Sequence, residues 1–119
     1  MYLRGIRGAI TVTIDDRESI LEATAELLET MMRENEIVSS DLTSVFLTMT
    51  PDLHSVFPAV AAREKLNWTE VPLMCGAELD IEGGLPRCIR ALFHWNTTKS
   101  QEDIRHVYLR DAKKLRPDI

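Results

Sequence analysis

Cysteine is scarce in this chain of 119 residues: there are two, Cys75 and Cys88. Two cysteines are too few for a disulfide-stapled scaffold. Neither belongs to a CxxC or lies near a histidine pair, so the spacing argues against a zinc site and for two reduced thiols in a cytoplasmic protein. No apolar run approaches the ~18 residues that a membrane span needs. The N-terminus has no cationic segment followed by an apolar core, so no secretion signal is expected. Repeats, low-complexity tracts and linkers are missing too, and the whole length, 1–119, is read as one domain. Nor is there an excess of positive charge. The formal net charge is −5, which argues against a nucleic-acid partner.

What is present is an ordinary globular balance, 45% apolar and 28% charged residues. The acidity is local. From Asp15 to Glu36 there are eight acidic residues against two basic ones, and elsewhere 11 acids face 12 bases. The last fifteen residues, "RHVYLRDAKKLRPDI", hold five cations. In a protein that is acidic overall, those cations are available to something small and negative.

The hydrophobic pattern predicts alternating elements. "YLRGIRGAITV" reads as a strand. "DDRESILEATAELLETMMRENEI" places Ile20, Leu21, Leu27, Leu28, Met31 and Met32 at helical spacing, with Asp15 and Glu18 spaced as a capping box. "LTSVFLTMT" reads as a second strand, "PAVAAREK" as a short helix with Pro58 in its first turn, and "TEVPLMC" as a third strand. A loop at Gly83 and Gly84 leads to "RCIRALFHWNT", a fourth strand, and "RHVYLR" is a short fifth. Strands alternating with two helices predict an α/β sandwich, one sheet covered by helices.

Arg90 falls in the middle of the fourth strand, whose two faces both read as apolar. A guanidinium there is costly to bury unless its donors are matched. It is either half of a structural ion pair, with Glu78 as the partner, or a ligand site, and position alone does not choose. Arg7 shares a strand face with the small residues Gly5, Ala9 and Thr11, which leaves room for a planar anion that guanidinium binds bidentately. "RGIRG" has no phosphate-loop pattern. His54, His94 and His106 form no HExxH and read as surface or packing residues. There is no GxSxG elbow, and a Cys75–His dyad is weaker than a core reading of that thiol. An arginine-rich pocket with little acid–base machinery suits a reaction driven by electrostatics and positioning.

Four blocks in order, "RGIRGAITV", "TPDLHSVFPA", "GGLPRCIR" and "IRHVYLRDAKKLRPD", resemble the monofunctional chorismate mutases of the trimeric AroH class over essentially the whole chain. The resemblance implies a mixed β-sheet (α/β, or α+β) with helices packed on one face and three subunits forming a pseudo-barrel. It implies rearrangement of chorismate to prephenate in phenylalanine and tyrosine biosynthesis, with no cofactor and no metal. Arg7 then matches a carboxylate-binding arginine, and Arg90 the donor to the ether oxygen. Glu78 and Cys75 match groups beside the ring hydroxyl, Tyr108 a further polar contact, and Phe57, Ala59 and Leu73 apolar walls. Arg63 and Arg116 match cations at the mouth, and Leu115 part of a closing tail, while Lys113 and Lys114 need only be solvated. Met74 stands where a hydroxyl residue can occur, so its contact would be through the backbone. Val60 stands where some members carry lysine, and some relatives have a longer tail than this chain. The resemblance also implies sites at subunit interfaces, with Phe57, Ala59, Arg63 and Cys75 from one chain and Arg7, Glu78, Arg90 and Tyr108 from the next. The rival reading is a non-catalytic sensor of chorismate or an aromatic amino acid, which would have no use for a donor at the ether oxygen. A further reading is a small trimeric α/β protein acting on another metabolite.

Overall fold

A computed structural model describes residues 1–117. The first strand, β1 (Tyr2–Thr11), leads into helix α1 (Arg17–Asn35), then β2 (Leu42–Met49), helix α2 (Ala59–Glu64), β3 (Leu73–Ala77), β4 (Cys88–Thr97) and a two-residue β5 (Val107–Tyr108). A 3-10 segment, Arg110–Leu115, ends the described chain apart from Arg116 and Pro117. The five strands form one mixed sheet in the order β3-β2-β4-β1-β5. β4 runs antiparallel to β1 and β2, while β3 and β5 lie parallel to their neighbours.

Both helices cover the same face, and the connections explain why. β1-α1-β2 and β2-α2-β3 step across the sheet in the same direction, and the usual right-handed crossover taken twice that way keeps its helices on one side. α1 packs on β1 and on α2. It buries Ile20, Leu21, Leu27, Leu28 and Met31, the stripe that its 3.6-residue spacing predicts. Opposite them, Ile6, Ile10, Val45, Leu47, Ile89 and Phe93 are buried from the sheet side. Gly8 lets helix and sheet meet closely, since a Cβ there would collide with Met31 Sδ and Leu27 Cδ1.

Two local expectations need correction. The N-cap of α1 is Asp16, which accepts from Ser19 N at 2.8 Å, and not Asp15. Asp15 instead accepts from His54 N and Ser55 N at 3.0 and 3.2 Å, fastening the loop before α2. Burial opposes its charge, but these donors outweigh that and hold its carboxyl below the usual carboxylate range. The third strand begins at Leu73, later than the apolar pattern indicates.

Among the described residues the other face of the sheet carries no α-helix, and only the 3-10 segment Arg110–Leu115 packs on its β1–β5 side. Leu3, Gly5, Arg7, Phe46, Thr48, Met74, Arg90, Leu92 and His94 alternate with the buried positions and project there. Arg90 is therefore not sealed in a strand apolar on both sides. Ile89, Ala91, Phe93 and Trp95 enter the core, and Arg90 faces the uncovered side.

Candidate functional site

Strand register assembles the site. Gly76 on β3 pairs with Thr48 on β2, Thr48 with Arg90 on β4, Arg90 with Ala9 on β1, and Ala9 with Tyr108 on β5. One transverse row on the uncovered face thus reads Gly76, Thr48, Arg90, Ala9, Tyr108. Small residues flank the guanidinium, and Glu78 lies on the same face two residues beyond Gly76. Its backbone N–H donates to Met49 O at 2.8 Å, which continues the pairing past the end of β3. A cavity of about 410 Å³ opens beside the row, with Arg7, Phe46, Thr48, Met74, Arg90 and Leu92 among its lining. That volume falls in the range of small-molecule sites.

Arg90 Nε lies 3.4 Å from Glu78 Oε2, and both side chains are largely shielded, at 34% and 18% exposure. Attraction is secured at that distance, but the hydrogen-bond geometry is not met, so Arg90 Nε is buried without a hydrogen-bond partner. The structural ion pair and the ligand site are therefore not exclusive alternatives: the pair exists, and it leaves a donor unused. Tyr108 OH is likewise buried without a partner, two positions along the same row. Unmatched polar atoms are costly in a core, and both of these face the uncovered side. Cys88, two residues before Arg90 on the same strand face, is buried against Ala9 and Ala112. Burial pushes its thiol up, and the charge of Arg90 pulls partly in the other direction.

The tail closes one side of this row. Leu109 N donates to Ala9 O at 2.9 Å and Asp111 N to Thr11 Oγ1 at 3.1 Å. Arg110, in the left-handed region at φ 55°, donates to Thr11 O and Glu26 Oε1. Ala112 and Leu115 then pack with Ala9, Cys88, Leu85 and Tyr108 in a small second core. Arg116 is half-buried, while Lys113 and Lys114 are exposed. His106 Nδ1 accepts from Arg7 N at 3.0 Å. Burial, with Arg116 and Arg7 nearby, lowers its pKa. The final Asp118 of the fourth sequence block, and Ile119, lie outside the described residues.

The predicted residues fall into two sets. Arg7, Glu78, Arg90, Tyr108 and Leu115 gather about the row, with Arg116 close to Arg7 through His106. Phe57, Ala59 and Arg63 are not among the residues lining the cavity that holds Arg7 and Arg90. Phe57 is 70% exposed, Arg63 is exposed, and Ala59 is buried in the core. Leu73 and Cys75 are half-buried against the main core, but Cys75 also lines the cavity that holds Arg7 and Arg90, and Met74 projects on the uncovered face at 66% exposure. Both cysteines are free thiols. His54 pairs with Asp15 at the surface, and His94 Nδ1 lies 3.0 Å from Ser44 Oγ. Thr48 is the site residue that the sequence did not single out. Its place in the row follows from strand register, which no local pattern displays.

Residues 3–119 match the chorismate mutase type I family. The chorismate mutase AroH of Bacillus subtilis is 48% identical over 119 residues, covering 100% of this chain and 94% of that protein. The chorismate mutase AroH of Thermus thermophilus is 51% identical over 118 residues, covering 98% and 96%. Among solved structures, a chorismate mutase from Clostridium thermocellum superposes with a TM-score of 0.90 at 44% identity, covering 92% of this chain and 97% of that one.

Proposed function

The chain belongs to the chorismate mutase type I family, and from that premise we propose that the row centred on Arg90 is its catalytic site. The activity is rearrangement of chorismate to prephenate, an isomerase reaction, and the sensor reading gives way to it. The substrate is a dianion, so the cations around Arg7 have carboxylates to meet. In the proposed arrangement Arg7 binds a carboxylate, Glu78 accepts from the ring hydroxyl, and Tyr108 supplies a further polar contact. Arg90 donates to the ether oxygen as the C–O bond breaks. The observation that carries this reading is the buried Nε of Arg90, which pairs with the Glu78 carboxylate at 3.4 Å but makes no hydrogen bond to it.

No proton needs to move in a pericyclic step. The site residues therefore hold the compact conformer, which removes part of the entropic barrier, and stabilise charge that grows only in the transition state. Phe57, Ala59 and Arg63 lie outside the cavity that holds Arg7 and Arg90, which supports a homotrimer whose sites form between subunits. The uncovered sheet face supports the same assembly. No helix among the described residues is long and apolar enough to cross a membrane. We place the reaction in the cytoplasm, where free thiols such as Cys75 and Cys88 persist.

The test is the loss of chorismate absorbance, with prephenate identified as product, for the protein and its Arg90 variants. Arg90→Ala should remove at least ~3 kcal/mol of transition-state stabilisation, by analogy with losing an oxyanion donor. Arg90→Lys keeps the charge without the planar fork and should recover only part. Circular dichroism should show both folded. A kcat near wild type in Arg90→Ala would sink the assignment.

A further inference from the structure

Thr48 occupies the row between Gly76 and Arg90, half-buried on the uncovered face. Its hydroxyl donates to Glu78 Oε2, the same oxygen that lies 3.4 Å from Arg90 Nε. A single carboxylate oxygen is thus shared between a hydroxyl and a guanidinium, and Oε1 is the one left to accept from a ligand. The arrangement matters because arginine and carboxylate, left to themselves, favour a bidentate fork that engages two N–H donors at once. Such a fork would consume the donor that Arg90 keeps unused.

We infer that Thr48 is a positioning residue for the reaction, acting through Glu78. Its hydroxyl turns the carboxylate partly away from Arg90, so that Oε1 faces the substrate and Arg90 Nε stays available to the breaking bond. The inference rests on the proposed roles of Glu78 and Arg90. It goes beyond them in giving a task to a side chain that need not touch the substrate. Packing alone does not account for Thr48, because valine has the same branched shape and suits a strand equally well.

That equivalence supplies the test. Rates of prephenate formation would be measured for Thr48→Val, Thr48→Ser, Thr48→Ala, Glu78→Ala and the double variant Thr48→Val/Glu78→Ala, with folding checked by thermal unfolding. Thr48→Val should lower kcat/KM about tenfold, the scale of one hydrogen bond to a charged group, and the loss should lie mainly in kcat. Thr48→Ala should lose as much, which covers the case of a valine that fails to fold. Thr48→Ser should stay within about threefold of wild type, because it restores the donor. In the Glu78→Ala background, Thr48→Val should cost less than about twofold, because nothing remains to position. Full activity in Glu78→Ala would overturn the reading of the site itself. An impaired Glu78→Ala beside a wild-type-like Thr48→Val would overturn this inference alone. So would equal losses from Ser and Val, or a Val loss that is undiminished without Glu78.

Discussion

His106 shows how much one neutral side chain can organise at the edge of a cationic site. Its Nδ1 accepts from the backbone N–H of Arg7, which requires a lone pair on that nitrogen and places the ring proton on Nε2. Protonation would abolish the acceptor and add a charge beside Arg7 and Arg116. Burial first, then those two charges, depress its pKa below the ordinary value. A base with a depressed folded pKa binds fewer protons folded than unfolded. Its contribution to stability is complete above the unfolded value of about 6.5 and is lost as pH falls through that value toward the folded one. Tm should therefore drop between about pH 7.5 and about pH 5.5. His106→Asn keeps an acceptor near Nδ1 without a titrating ring, and should flatten that part of the profile. Equal slopes in the two proteins would remove His106 from the account. The depressed carboxyl of Asp15 acts in the same direction at lower pH, because a lowered acid pKa lends stability that disappears only as pH falls through it.

At the scale of elements, the end of α1 is tied to the strand that carries Tyr108. Asn35 is fully buried. Its Nδ2 donates to Met31 O and Arg105 O, both at 2.9 Å, and its Oδ1 accepts from Arg105 N at 2.8 Å. A carboxamide matches a backbone N–H and C=O together, so this side chain substitutes for one rung of a ladder three residues before Tyr108. Asn35→Ala would leave those backbone groups unmatched and should cost about 2–3 kcal/mol, read as a lower urea midpoint with m unchanged. KM for chorismate should rise as well, because β5 loses its anchor. An unchanged midpoint would refute the brace. Local pattern and long-range pairing account for what could be read in advance. α1 was legible because one apolar stripe repeats at helical spacing for five turns, and β4 because a run rich in apolar and aromatic residues, from Cys88 to Trp95, follows a Gly-Gly loop. Asp15 and Asp16 look alike in sequence, and the choice of cap went to Asp16 because a loop forty residues away claims its neighbour. Asn35 and Thr48 depend on partners 70 and 30 residues distant, so no window of sequence displays their work. The roles of Arg7, Glu78 and Arg90 came from the family resemblance. The residues alone gave only cations in a strand and a choice between two readings.

Among the described residues, one sheet face has no α-helix over it and is covered only at its β1–β5 side by the Arg110–Leu115 segment. Leu3, Phe46 and Met74 stand exposed there among Arg7, Arg90 and Leu92, an apolar surface that an isolated chain would hold against water. The residues attributed to the site divide the same way: Arg7, Glu78, Arg90 and Tyr108 meet on this face, and Phe57 and Arg63 lie exposed elsewhere. The proposed cyclic trimer would account for both, because each of its three identical heterologous interfaces could bring one chain's row against the next chain's α2 region. Complementation tests this directly. Arg90→Ala disables one half, and Arg63→Glu reverses a cation in the other. Ala59 is a poorer choice for the second lesion because it is buried, and bulk there would disturb the core. Each variant alone should be nearly inactive. When the two are unfolded and refolded together in equal amounts, random assembly makes about three quarters of the trimers mixed. Every mixed trimer has one junction where the two intact halves meet, so about a quarter of all sites should be wild type. Activity rising toward that fraction supports the shared site. Demonstrably mixed trimers that remain as inactive as their parents would place each site within a single chain.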